Sequence, residues 1–233
     1  MKYLLGAILI CSIVISCNSL EGSGKIITEK RTITAFTGIK VGGAFEVEAT
    51  IGLTTSLTVE ADDNIVPLIE TYVKGTTLYI KTKGINNISN GHVKIFITTP
   101  VLANIDCSGA ADVKVVNPIN YDGKIVIESS GASTINAVLN APQVAVIASG
   151  AGKIELTGNT KDYNLKISGA SDVKSSGLLS ENTDVHVSGA GNAYVHASVF
   201  LKATSSGAGT IYYRGAARVD EHVSGAGTIK KEL

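Results

Sequence analysis

The tripeptide Ser-Gly-Ala occurs seven times in the second half of this chain, beginning at Ser108, Ser130, Ser149, Ser168, Ser188, Ser206 and Ser224. Successive copies lie 22, 19, 19, 20, 18 and 18 residues apart. A unit of this length is too short to enclose a core of its own, so each copy must bury its apolar side against its neighbours. The expected result is a stacked, quasi-one-dimensional architecture.

Aligning the copies on the serine shows how one unit is built. Three residues before it stand Ile105, Ile127, Val146, Leu165, Val185, Ala203 and Glu221, and one residue before it Cys107, Ser129, Ala148, Ile167, Val187, Ser205 and Val223. The column between them is mostly polar: Asp106, Glu128, Ile147, Lys166, His186, Thr204 and His222. Alternation of this kind marks a strand with one buried face. Five residues after the serine come Val113, Ile135, Ile154, Val173, Ala193, Ile211 and Ile229, followed by the outward column Lys114, Asn136, Glu155, Lys174, Tyr194, Tyr212 and Lys230. Each unit therefore reads as strand, glycine corner, strand, with segments such as 159–162 carrying the chain onward. No amphipathic helical stretch is long enough for a βαβ crossover. The expected fold is all-β: a single-domain, right-handed parallel β-helix with rungs of about 19 residues. The glycines at the corners are Gly109, Gly131, Gly150, Gly169, Gly189, Gly207 and Gly225. The alanine after each is expected to fill a tight inner corner, and the serines to pass hydrogen bonds between rungs.

The same template fits Ile39 to Val47, with Gly42 in the serine place and Gly43 in the glycine place. Gly42 precedes Ser108 by 66 residues, enough for three longer rungs. Strands are expected around Leu57-Thr58-Val59, Leu78-Tyr79-Ile80 and 93–97, without the corner motif. The N-terminal third is thus expected to be less regular, with a hairpin or insertion at 84–92 and an edge covered by 26–36. At the other end no dedicated cap follows the last repeat. An open edge invites pairing, so homo-oligomerisation through the solenoid ends is an expectation.

The first sixteen residues read as a leader: Lys2, then an apolar run from Leu4 to Ile15 too short to span a bilayer stably. The run closes on Val14-Ile15-Ser16-Cys17, which resembles a bacterial lipobox, and that resemblance implies cleavage before Cys17 and acylation of its thiol. The chain divides into a leader at 1–16, a lipidated polar tether at 17–25 and a solenoid at 26–233. Membrane attachment through the lipid follows, and Asn18 after the cysteine favours the outer membrane. Cys11 leaves with the leader and Cys107 remains as an unpaired, buried structural thiol. The formal net charge is +0, with 20 basic and 20 acidic residues and no basic run. A phosphate-binding surface needs clustered Lys and Arg, so nucleic acid is excluded as a partner.

Candidate chemistry is sparse. Asn182-Thr183-Asp184 matches a tripeptide of polygalacturonases and Asp62-Asp63 offers a carboxylate pair, but the two stand in reversed order over a hundred residues apart. Asp112 and Asp172 share a column three rungs apart, and His186 and His222 are separated by the rung of Thr204, too far for one zinc ion. No metal or cofactor is expected, and no catalytic residue. Tyr194 and Tyr212 fall in one outward column on successive rungs with Tyr213 adjacent, and exposed rings in register can stack on sugar or peptide faces.

Arg31-x-Ile33-x-x-Phe36-x-x-Ile39-x-Val41, Thr99-Pro100-x-Leu102 and the Ser-Gly-Ala series together resemble the putative auto-transporter adhesin, head GIN domain family, a domain of unknown function common in Bacteroidetes lipoproteins. The resemblance covers about residues 30–225. It implies a non-enzymatic envelope binding or scaffolding protein, an adhesin on the cell surface with an extracellular glycan or matrix protein as partner. The alternatives are a pectinase-like polysaccharide-active enzyme on the same fold and a periplasm-facing structural lipoprotein.

Overall fold

The computed structural model describes residues 19–84 and 87–232. The leader, Cys11 and the acylation candidate Cys17 lie outside the described residues. The chain starts with β1 (Ser19–Glu21) and β2 (Ile26–Arg31), then enters the solenoid through β3 (Gly38–Gly43) and β4 (Glu46–Ile51). It leaves again for β5 (Ser56–Asp62), a 3-10 turn (Val66–Leu68), β6 (Ile69–Lys74), β7 (Thr77–Thr82), β8 (Asn87–Ser89) and β9 (Val93–Thr99). From there it climbs through β10 (Asn104–Gly109), β11 (Asp112–Val115), β12 (Ile119–Asn120), β13 (Lys124–Ser129), β14 (Thr134–Ala148), β15 (Lys153–Ile167) and β16 (Asp172–Val187). It ends in β17 (Asn192–His196), β18 (Phe200–Ser205), β19 (Thr210–Arg214), β20 (Arg218–Val223) and β21 (Thr228–Lys231).

All contacts between levels are parallel. A first sheet stacks β3, β10, β13, the second halves of β14, β15 and β16, then β18 and β20, giving eight levels. A second sheet stacks β4, β11, the first halves of β14, β15 and β16, then β17, β19 and β21. A short third side runs through Ile119, Leu139, Gly158 and Leu178. The segment at 159–162 is part of this continuous strand rather than a separate linker.

The columns place the core where the alternation puts it. Ile105, Ile127, Val146, Leu165, Val185 and Ala203 are buried, and so are Val113, Ile135, Ile154, Val173, Ala193 and Ile211. Burying each large aliphatic side chain contributes about 1.5–3 kcal/mol. Cys107 is fully buried in the same interior, and desolvation, aided by nearby Asp106, pushes its thiol up to about 12.

The corner departs from the expectation. Ala110, Ala132, Ala151, Ala170, Ala190, Ala208 and Ala226 are all exposed. The next residue turns inward instead: Ala111, Ser133, Gly152, Ser171, Gly191 and Gly209 are buried. The motif works through the backbone. From Ala110 to Ala208 each alanine N–H donates to the carbonyl of the glycine one level earlier, as in Ala151 to Gly131 (3.0 Å) and Ala170 to Gly150 (2.9 Å), and at the last corner Gly227 N–H takes that role toward Gly207 (2.9 Å). This draws consecutive corners so close that a Cβ at Gly150 would lie 2.0 Å from the Gly131 oxygen. Gly43 and Gly109, at the first two corners, also take positive φ angles of 148° and 108°. The serine hydroxyls of Ser108, Ser130, Ser149 and Ser188 each donate to a carbonyl of the preceding level at 3.4 Å, so the ladder they make runs to backbone.

The N-terminal third is less regular, as expected, but the three further rungs are absent. Gly42 lies directly opposite Ser108, so β3 and β4 are the level next to β10 and β11 and no rung intervenes. Residues 52–103 form a cap instead. In the first sheet, β7 adds to β3 in parallel and β6 returns antiparallel to it. In the second, β9 adds to β4, followed by antiparallel β5 and β2. The hairpin is β6–β7, at 69–82, while 84–92 carries β8, which pairs with β1. The β2 strand covers the edge of β5, as the sequence suggests for 26–36, and becomes the outer edge itself.

Candidate functional site

On the outer face of the second sheet, register places Tyr194 opposite Tyr212, with Lys174 before the pair and Lys230 after it. Both rings stand one level apart and side by side. Their centroids are 4.7 Å apart and their planes differ by 8°, a parallel stack. The stack is held from beneath: Ser175 Oγ donates to the Tyr194 carbonyl at 2.8 Å and accepts from the hydroxyl of buried Tyr163 at 3.0 Å. Beside it, Asn192 donates to Asp172 at 2.8 Å. Desolvation raises the Tyr194 hydroxyl above its ordinary range, with smaller contributions from Tyr212, Asp172 and Glu232. The pair is an aromatic strip, flanked along its column by two lysines.

Tyr213 does not join the strip. It stands opposite fully buried Val195, in the inward column, half-buried against the core at its last levels. Burial and neighbouring Glu221 raise its hydroxyl. A second stack was missed in the sequence: Tyr72 and Tyr79 face each other across the β6–β7 hairpin, 5.0 Å apart and 2° from parallel, with Lys81 Nζ 5.4 Å from the Tyr72 ring. Recognising 69–82 as a hairpin would have paired these residues. On the short third side, Asn159 donates to Asn140 (3.1 Å) and Asn140 to Asn120 (2.9 Å), an amide ladder along an open groove of about 670 Å³.

The acids considered for catalysis are in separate places and in structural contacts. Asp62 is 2% exposed, and its two oxygens accept the backbone N–H groups of Gly24 (2.6 Å) and His92 (2.8 Å). The hydrogen bond from Ser23 Oγ, with the pairing to Lys25 beside it, holds the Asp63 carboxyl below the usual range. Asp184 lies on the outer face of the first sheet, 3.9 Å from Lys202. Asp112 and Asp172 are separated by Thr134 and Lys153, and His186 and His222 by Thr204, as the repeat spacing requires. Among the described residues no three His, Cys, Asp or Glu side chains come together as a metal site.

Residues 35–217 match the family described as putative auto-transporter adhesin, head GIN domain. The chain belongs to this family. The matched region takes in the cap and the levels that carry Tyr194 and Tyr212. A crystal structure of a putative adhesin from Bacteroides fragilis is 28% identical, with a TM-score of 0.87, over 91% of this chain and 100% of that one. A putative adhesin from Parabacteroides distasonis is 24% identical, with a TM-score of 0.71, over 92% and 100% of the two chains. A putative lipid binding protein from the same organism is 20% identical, with a TM-score of 0.72, over 92% and 100%. The last two likenesses concern the fold alone. No curated protein matches the chain.

Proposed function

We propose that this chain is a non-enzymatic, lipid-anchored binding module of the bacterial cell envelope, displayed at the outer surface as an adhesin. Its ligand is an extracellular glycan or matrix protein. Membership of an adhesin family supports the class of function, and the Tyr194–Tyr212 strip is the observation that carries the binding role. The two rings stack face to face on successive levels, so their outward edges form an apolar ridge about as long as one strand spacing, and the C–H face of a sugar or a peptide side chain packs against such a ridge. Lys174 and Lys230 at its two ends add charged donors for hydroxyl or carboxylate groups. The acids that a polysaccharide-cleaving enzyme would use stand in structural contacts far apart in the fold, whereas an inverting glycosidase needs two carboxyl groups about 6.5–9.5 Å apart around its substrate.

The test is a binding screen of the purified domain against glycans and matrix proteins, repeated with Tyr194→Ser/Tyr212→Ser. The double variant is expected to weaken the best ligand about tenfold, close to 1.4 kcal/mol, with an unchanged unfolding midpoint. Unchanged affinity would remove the strip from the account.

A further inference from the structure

The run Asp62-Asp63-Asn64 closes on a single short segment near the N-terminus. Besides the Asp62 bond to Gly24, Ser23 donates its N–H to Asn64 Oδ1 (3.1 Å) and its hydroxyl to Asp63 Oδ1 (2.7 Å). Asn64 Nδ2 donates to the Glu21 carbonyl (2.8 Å), and Asp63 N–H donates to the Lys25 carbonyl (2.9 Å). Gly22 N–H donates to the Ser89 carbonyl at 3.1 Å, and a Cβ at Gly22 would lie 2.8 Å from both Asp62 Oδ2 and the Gly91 Cα. A buried carboxylate is costly unless its hydrogen bonds are complete, and here the segment's Gly24 N–H supplies one of them while His92 N–H supplies the other. The sequence reads 17–25 as a tether, yet from Ser19 onward it is a docked element.

We infer that this clamp fixes the protein's stance: the N-terminal cap is the face laid against a phospholipid surface, and the solenoid stands away from it with its last levels outermost. The inference rests on the acylation of Cys17 proposed above. Cys17 precedes Ser19 by two residues, a distance of at most about 7 Å of chain. The first strand after the clamp, β2, is the outer edge of the second sheet and leaves Ile26 and Ile27 53% and 37% exposed. Unpaired edges with apolar side chains are ordinarily sheltered, and a lipid interface in contact with the cap shelters this one. Seven spacings separate the first level from the eighth, about 34 Å at the usual strand separation. Tyr194 and Tyr212 stand on the sixth and seventh levels, towards the far end.

The experiment uses full-length protein acylated in cells and reconstituted in phosphatidylcholine–phosphatidylglycerol vesicles carrying an acceptor dye in the headgroup layer. A donor is attached at Lys30→Cys in the cap or at Lys202→Cys on the seventh level, buried Cys107 staying unlabelled. Strong transfer from position 30 and weak transfer from position 202 are expected. An eight-residue Gly/Ser insertion after Asn18, which leaves the fold untouched, and Asp62→Ala/Asp63→Ala/Asn64→Ala should each raise transfer from position 202. Equal transfer from the two positions, or signals indifferent to both changes, overturns the fixed stance. Protein that does not remain with the vesicles overturns the anchoring itself, which keeps the two failures distinguishable.

Discussion

At the scale of single residues, adjacent positions of one tripeptide have opposite tolerances. A methyl group at Gly150 would meet the Gly131 carbonyl at 2.0 Å, a backbone atom that its own hydrogen bond to Ala151 holds in place. Gly150→Ala should therefore cost about 3 kcal/mol, at the upper end of overpacking. Ala151→Ser should change stability by less than about 0.5 kcal/mol, since that side chain is in solvent. Urea unfolding of the two variants measures both. The glycine was legible in the sequence because a recurring glycine at a corner announces a close approach. The direction of the alanine was not, because inside–outside counting holds only along extended backbone and fails through a bend. Cys107 was legible as a buried thiol, since its column is small or apolar throughout. Its folded thiol keeps its proton up to about pH 12, against 9.0 ordinarily. The folded state thus binds the proton more tightly, and this contribution is fully present below pH 9 and lost as pH rises above it. The stability gap between the protein and Cys107→Ala should narrow between pH 9 and 11, and native Cys107 should resist maleimide until the protein unfolds.

At the scale of elements, the repeat explains the levels and is silent about the cap. Periodicity identifies which face of β5, β7 and β9 is buried, but not which strand lies beside which. The 66 residues between Gly42 and Ser108 could stack as rungs or fold back as hairpins with the same alternation. The structure shows the second, and one side chain explains how β2 is fastened there. Arg31, from the motif that carries the family resemblance, donates through Nη1 to the Ile69 carbonyl (2.5 Å) and Thr71 Oγ1 (3.0 Å), and through Nη2 to the Val66 carbonyl (3.0 Å). It ties the outer strand of the second sheet to the start of the first sheet's hairpin. Charge-assisted bonds of this kind are worth about 1.5–3 kcal/mol each. Arg31→Ala should speed amide exchange in β2 and β5 by tenfold or more while leaving β14 to β16 unchanged. Uniform acceleration through the stack would mean that the cap and the levels unfold as one unit.

At the scale of the whole molecule, the stacked levels form a rod whose two ends differ. One end is closed by the cap and the docked segment at 19–25. On the last described level the inward positions are open: Val223 is 45% exposed where Val187 and Ser205 are fully buried. Glu221 stands there in a column of aliphatic residues, and an inward charge of this kind guards an edge against pairing. The tyrosine strip was legible as two residues in one column, because the repeat length sets register. The exclusion of Tyr213 follows from the same count, one position further on. The amide ladder and the Asp62-Asp63-Asn64 clamp were not legible, since each depends on contacts between segments that the repeat does not align. The account as a whole predicts a rod displayed on the outside of the cell. The most direct measurement is labelling of intact cells with an antibody against the folded domain, compared with permeabilised cells and with a known periplasmic protein as control. Equal labelling of the domain before and after permeabilisation, with the control silent in intact cells, is the predicted result. Labelling that appears only together with the control would place the protein inside the envelope and contradict the proposed adhesin role.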